Sequence, residues 1–95
     1  MEDYKGKFPE GKVIAQFSAE WCGPCRVLKP RMEKLVDGSD IVTGVLVNVD
    51  DYPATSEDFS IRSIPTVVIM EDREEVARYT GSAAFEAVKQ YIENQ

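Results

Sequence analysis

The spacing of apolar and polar positions changes several times along the chain, and each change marks an element. From Lys12 the run Val13-Ile14-Ala15-Gln16-Phe17 is almost continuously apolar and stops at Ser18-Ala19-Glu20, the pattern of a short strand covered on both faces. Beyond Gly23 and Pro24 the period becomes helical: Cys25, Leu28, Met32, Leu35 and Val36 fall on one face, and Gly38 supplies the stop. Pro30 lies inside this helix, where a missing hydrogen bond predicts a kink with the helix continuing. Residues 41–49 form a second buried run centred on Val45-Leu46-Val47. Strand, helix and strand of this length predict a parallel pair joined by a right-handed crossover.

Asp50-Asp51-Tyr52-Pro53 carries turn chemistry, and residues 54–59 have room for one or two helical turns. Pro65 opens a third apolar run through Met70, and the polar residues 71–75 connect it to residues 76–80, so the last two strands read as a hairpin. After Gly81, residues Ala84, Phe85, Val88, Tyr91 and Ile92 form a second helical stripe. Alternation of this kind is an α/β layer architecture.

Composition narrows the chemistry. The chain has 95 residues, 43% hydrophobic and 29% charged, which fits one globular domain over residues 1–95 without repeat or linker. A net charge of -6 argues against nucleic acid and anionic lipid, both of which call for a basic patch. The apolar runs are too short to span a bilayer, and the start of the chain lacks the basic and apolar stretches of a secretory signal, so the expected address is the cytoplasm. There is no histidine, which removes Ser/His and Cys/His nucleophile pairs and imidazole-based zinc sites.

The two cysteines, Cys22 and Cys25, stand where the first strand hands over to the first long helix. Chemistry in open α/β sheets collects beyond the carboxyl ends of strands, and a helix start offers unpaired N–H groups and the positive end of a dipole. A thiolate at Cys22 is stabilised there, so Cys22 is expected to be the exposed, attacking sulfur. Cys25, one turn on and aligned with Leu28 and Met32, points inward and is expected to resolve. Gly23 permits the tight turn and Pro24 fits the first helical turn. A zinc site needs four ligands, which would require a dimer, and a disulfide across so short a loop constrains the unfolded chain little. Redox chemistry is the remaining use.

The stretch Trp21-Cys22-Gly23-Pro24-Cys25 resembles the active-site motif of the thioredoxin family, and Ile64-Pro65-Thr66 is similar to that family's cis-proline loop. The resemblance spans residues 12–92 and includes Pro30, Asp50, Ile61-Arg62 and Gly81. It implies a thiol-disulfide oxidoreductase that reduces protein disulfides and is recycled by a thioredoxin reductase. It needs no bound cofactor beyond the Cys22–Cys25 disulfide and no metal, and is expected to act as a monomer. It also implies a cis Pro65 packed beside the sulfurs and a backbone at Ile64 or Thr66 that pairs with an incoming peptide. The adjacency of Trp21 to Cys22 favours substrate contact by its ring over packing against the helix. A glutathione-linked carrier of the glutaredoxin type would show an aromatic after the proline, whereas this chain has Gly23-Pro24. A docking module in which the dithiol is incidental is the alternative of another class.

Three departures from the resemblance stand out. Gln16 occupies the place of a buried aspartate, and Leu46 that of its companion lysine. An amide takes no proton, so Gln16 is a candidate modulator: Cys25 would lose its proton to water or to a departing thiolate, and resolution would be slow. The segment before Lys12 is also short. It predicts a four-stranded mixed sheet flanked by helices, the N-terminal strand missing or shortened, with the 41–49 strand as an edge unless Tyr4 and Phe8 fold over it.

Overall fold

The computed structural model describes residues 1–95. Its elements follow the predicted order with one addition: β1 (Glu2–Asp3), β2 (Lys12–Ser18), α1 (Gly23–Asp37), β3 (Thr43–Asn48), α2 (Pro53–Asp58), β4 (Thr66–Glu71), β5 (Glu74–Thr80) and α3 (Ala83–Glu93). They build a five-stranded sheet in the order β1-β3-β2-β4-β5. β1, β3 and β2 run parallel, and β4 and β5 are antiparallel to their neighbours.

The expected four-stranded sheet is therefore corrected. Glu2 and Asp3 pair with Val45 and Leu46, and the Tyr4 N–H extends the contact to the Leu46 carbonyl at 2.9 Å. Both strand residues are exposed, so the pairing is made by backbone alone and leaves no hydrophobic signature in the sequence. Tyr4 and Phe8 are buried, as the alternative to an open edge required.

α1 continues through Pro30, because its buried stripe of Cys25, Leu28, Met32 and Val36 holds both halves on the sheet. Gly38 ends it at φ -80, without the left-handed conformation a terminal glycine often adopts. The β4–β5 turn is tighter than the predicted connector. Only Asp72 and Arg73 lie outside the strands, at φ 51 and 70, the paired positive φ of a two-residue hairpin turn. Asp72 accepts a hydrogen bond from the Gly11 N–H and Arg73 donates to the Phe8 carbonyl, each at 3.0 Å. The hairpin thus fastens the loop that leads into β2.

Strand alternation divides the core between the two sheet faces. Ile14, Val67 and Ile69 meet α1 and α3 on one face; Val13, Ala15, Phe17, Val45, Val47, Val68 and Met70 meet Tyr4 and Phe8 on the other. At the upper end of β2, Ala19, Cys22 and Cys25 form a small cluster of their own, closed by Val49 and Ile64.

Candidate active site

The strand-to-helix turn brings the two sulfurs together. Cys22 is the N-cap of α1, extended at φ -88 and ψ 107, and its sulfur accepts a hydrogen bond from the Cys25 N–H at 3.2 Å. A cap of this kind satisfies one of the unpaired donors at a helix start. Pro24 sits in the first turn, where the helix needs no N–H from it. Cys22 and Cys25 are joined as a disulfide, with Cα atoms 5.3 Å apart, within the ordinary range for such bridges.

Cys25 is fully buried on the stripe facing the sheet, as expected. Cys22 differs from expectation: it is only 5% exposed. The reason is the 64–66 loop, which brings the Ile64 carbonyl oxygen 3.8 Å from the Cys22 sulfur. Ile64 is half-buried, while Pro65 and Thr66 are buried. The Ile64–Pro65 peptide is cis. Two hydrogen bonds fix the loop: the Thr66 hydroxyl donates to the Ser63 carbonyl at 2.6 Å, and the Gly81 N–H donates to the Pro65 carbonyl at 2.9 Å.

Trp21 stands 71% exposed next to Cys22. Its indole N–H donates to Asp50 at 2.8 Å, and the turn carrying Asp50 is set by the Asn48 side chain, which accepts the Asp50 N–H at 2.9 Å. Gly23 and Pro24 are exposed at the tip. The structure therefore gathers Trp21, Cys22, Gly23, Pro24, Cys25, Ile64, Pro65 and Thr66 at one end of the sheet. Two supporting contacts were not legible as such, the bond from Trp21 to Asp50 and that from Gly81 to Pro65. Both residues fell within the family resemblance, but nothing in their spacing named a partner.

Gln16 lies behind this cluster. It is fully buried, paired in register with Leu46 on one side and Val67 on the other, and neither its amide nitrogen nor its amide oxygen has a partner in the protein. Orphaned buried amide atoms cost about 1 to 3 kcal/mol.

Comparison with known proteins agrees with this geometry. The thioredoxin family model matches residues 3–94. A thioredoxin of Chlamydia caviae is 41% identical over 81 residues, covering 84% of this chain and 78% of its own. The solved thioredoxin of Fasciola hepatica superposes with a TM-score of 0.81 at 31% identity, over 90% of this chain and 82% of that one. A chain from a structure on thiol resolution in yeast mitochondrial 1-Cys peroxiredoxin by glutathione and thioredoxin systems gives 0.80 at 27% identity, over 90% and 80%. The family match over nearly the whole chain and these relatives, together with the Cys22–Cys25 pair, show that the chain belongs to the thioredoxins and is a thiol-disulfide oxidoreductase.

Proposed function

We propose that residues 1–95 act as a single domain that reduces protein disulfides, with Cys22 as the attacking thiol and Cys25 as the resolving one. The observation that carries the assignment is the asymmetry of the pair: Cys22 caps the helix and borders the surface at Trp21, while Cys25 is sealed against the sheet. A thiolate at the cap is favoured by the Cys25 N–H and the helix dipole. Cys22 attacks a client disulfide, forming a mixed disulfide and releasing one client thiolate. Cys25 then attacks Cys22, closing the internal bridge and releasing the second.

In this reading Trp21, Gly23 and Pro24 form one wall of the client site and Ile64, Pro65 and Thr66 the other. The oxidised pair is returned to the dithiol by a thioredoxin reductase, and peroxide-reducing thiol proteins are one class of client, the setting of the yeast neighbour. In the same reading the protein works as a monomer and in the cytoplasm, where a reductant of this kind acts. No helix is long and apolar enough to cross a membrane.

Cys25→Ser tests the division of labour. It is expected to accumulate mixed disulfides through Cys22 with a model protein disulfide, and Cys22→Ser is expected to form none. Equal trapping by both variants would overturn the assignment of roles.

A further inference from the structure

Three successive carbonyls in the loop before β4 have different fates. That of Ser63 accepts the Thr66 hydroxyl at 2.6 Å, and that of Pro65 accepts the Gly81 N–H at 2.9 Å. The Ile64 carbonyl between them accepts no N–H or O–H from the protein; the group within its reach is the Cys22 sulfur, 3.8 Å away. The Ile64 N–H is also without a partner in the protein. Thr66 is buried, at 2% exposed, so little water competes for its hydroxyl. The bonds on either side thus hold the Ile64 carbonyl against Cys22, and both polar groups of the Ile64 backbone stay open to another chain.

In the disulfide form Cys22 has no proton to give. In the dithiol form it faces two groups with opposite demands. The Cys25 N–H donates to its sulfur and favours the thiolate, as does the helix dipole. The Ile64 carbonyl only accepts, so it takes the S–H of the neutral thiol and repels the thiolate. Ala19, Cys25, Val49 and Ile64 enclose Cys22. The charged side chains nearest along the segments that supply them are Glu20, Asp50 and Asp51 against Arg26, Lys29 and Arg62, all exposed. They carry both signs and are screened by water, so the two hydrogen-bonding groups against the sulfur set its balance between thiol and thiolate.

We propose that the Ile64 carbonyl is an exchangeable acceptor that holds Cys22 as a thiol until a client's backbone N–H takes its place, and that Thr66 is the positioning residue that keeps it there. This rests on the assignment of Cys22 as the attacking thiol and of the 64–66 loop as a wall of the client site. When an extended client segment pairs with Ile64, the carbonyl turns from Cys22 to the client N–H. The Cys22 proton then passes to solvent water, and the Cys25 N–H is left facing a thiolate. That thiolate attacks one client sulfur, the Cys22–client bond forms, the client S–S bond breaks, and the other client sulfur leaves with the electron pair. A disulfide or electrophile too small to pair with the loop meets the more protonated thiol. The loop thereby selects peptide disulfides through the reactivity of Cys22 as well as through contact.

The test compares a small reagent with a peptide. Iodoacetamide does not pair with the loop, and Cys25 is fully buried, so the pH profile of alkylation in the reduced protein reads the resting Cys22 thiol. Thr66→Val keeps the shape of the side chain but removes its hydroxyl, and is expected to release the carbonyl. The alkylation inflection then moves to lower pH, and alkylation well below it becomes about threefold faster, the worth of a weak hydrogen bond. Attack on the disulfide of a cystine-bridged peptide is expected to slow instead, and Thr66→Ser to restore both values. A loosened fold alone would not lower the inflection while slowing the peptide. Thr66→Ala removes the same hydroxyl and gives the same reading if Thr66→Val does not fold. On the unaltered protein, methylating the peptide's backbone nitrogens beside its cystine is expected to slow attack by about fivefold. An inflection that stays or rises without the hydroxyl, or a methylated peptide attacked as fast as its parent, would overturn the proposal. Cys22→Ser checks the underlying role separately: if the peptide disulfide is still reduced there, it is the role of Cys22 that fails.

Discussion

The two faces of the sheet are covered by different means. On one, α1 and α3 lay regular aliphatic stripes over Ile14, Val67 and Ile69. On the other, a non-helical N-terminal segment and the short α2 bring together aromatic rings. Tyr4 packs on Phe8 and Tyr52 with ring centroids 4.5 and 4.8 Å apart, and Phe59 bridges Phe8 and Phe17 at 5.6 and 5.4 Å. The helical face is built from contacts that recur every three or four residues, while the aromatic face is built from residues far apart in sequence. Only the first carries the redox pair.

Removing a ring is the strongest way to probe this division. Phe8→Ala is expected to destabilise the fold by about 3 to 5 kcal/mol, the usual cost of deleting a buried aromatic, while the rate of disulfide closure changes little. Urea unfolding gives the first quantity and thiolate release the second. A loss below about 1 kcal/mol would mean that the aromatic face is a loose cover rather than core. Met32→Ala makes the opposite case. It empties a fully buried position on the stripe that carries Cys25; the expected loss is about 2 to 4 kcal/mol, and here closure is expected to slow as well, because α1 no longer seats firmly.

This contrast explains what could be read in the sequence. The stripes of α1 and α3, the buried β2 and the hairpin follow from periodicity, and the Cys22–Cys25 turn follows from Gly23 and Pro24. The strand Glu2–Asp3 does not, since its residues contribute backbone only. Nor does the burial of Cys22, which depends on a loop forty residues away whose packing no local pattern announces. Gln16 was legible as a departure from the family, but its lack of any partner needed coordinates.

Two smaller effects sharpen the comparison. A Cβ on Gly44 would fall 2.4 Å from a Val36 methyl and 2.7 Å from the Met1 side chain, so Gly44→Ala is expected to cost about 1 to 3 kcal/mol by overpacking the helical face, read as a shift in the urea midpoint. Tyr91, on α3, donates its hydroxyl proton to Glu71 of β4. Burial and that carboxylate push its pKa up from 10.0. A raised folded-state pKa stabilises fully below the unfolded value and is lost as pH rises beyond it. Stability is therefore expected to decline above about pH 10 by about 1 kcal/mol, and Tyr91→Phe is expected to remove that decline in unfolding curves taken across the range.

The clasp between the hairpin turn and the loop before β2 also bears on the order of events during synthesis. Gly11 and Phe8 meet Asp72 and Arg73 across separations of 61 and 65 residues, and β1 has no partner until β3 exists. Residues 2–11 are thus made before the strands and the turn that hold them. Until Tyr52 and Phe59 have emerged, Tyr4 and Phe8 lack the rings that cover them, and the nascent protein carries these two aromatic side chains exposed.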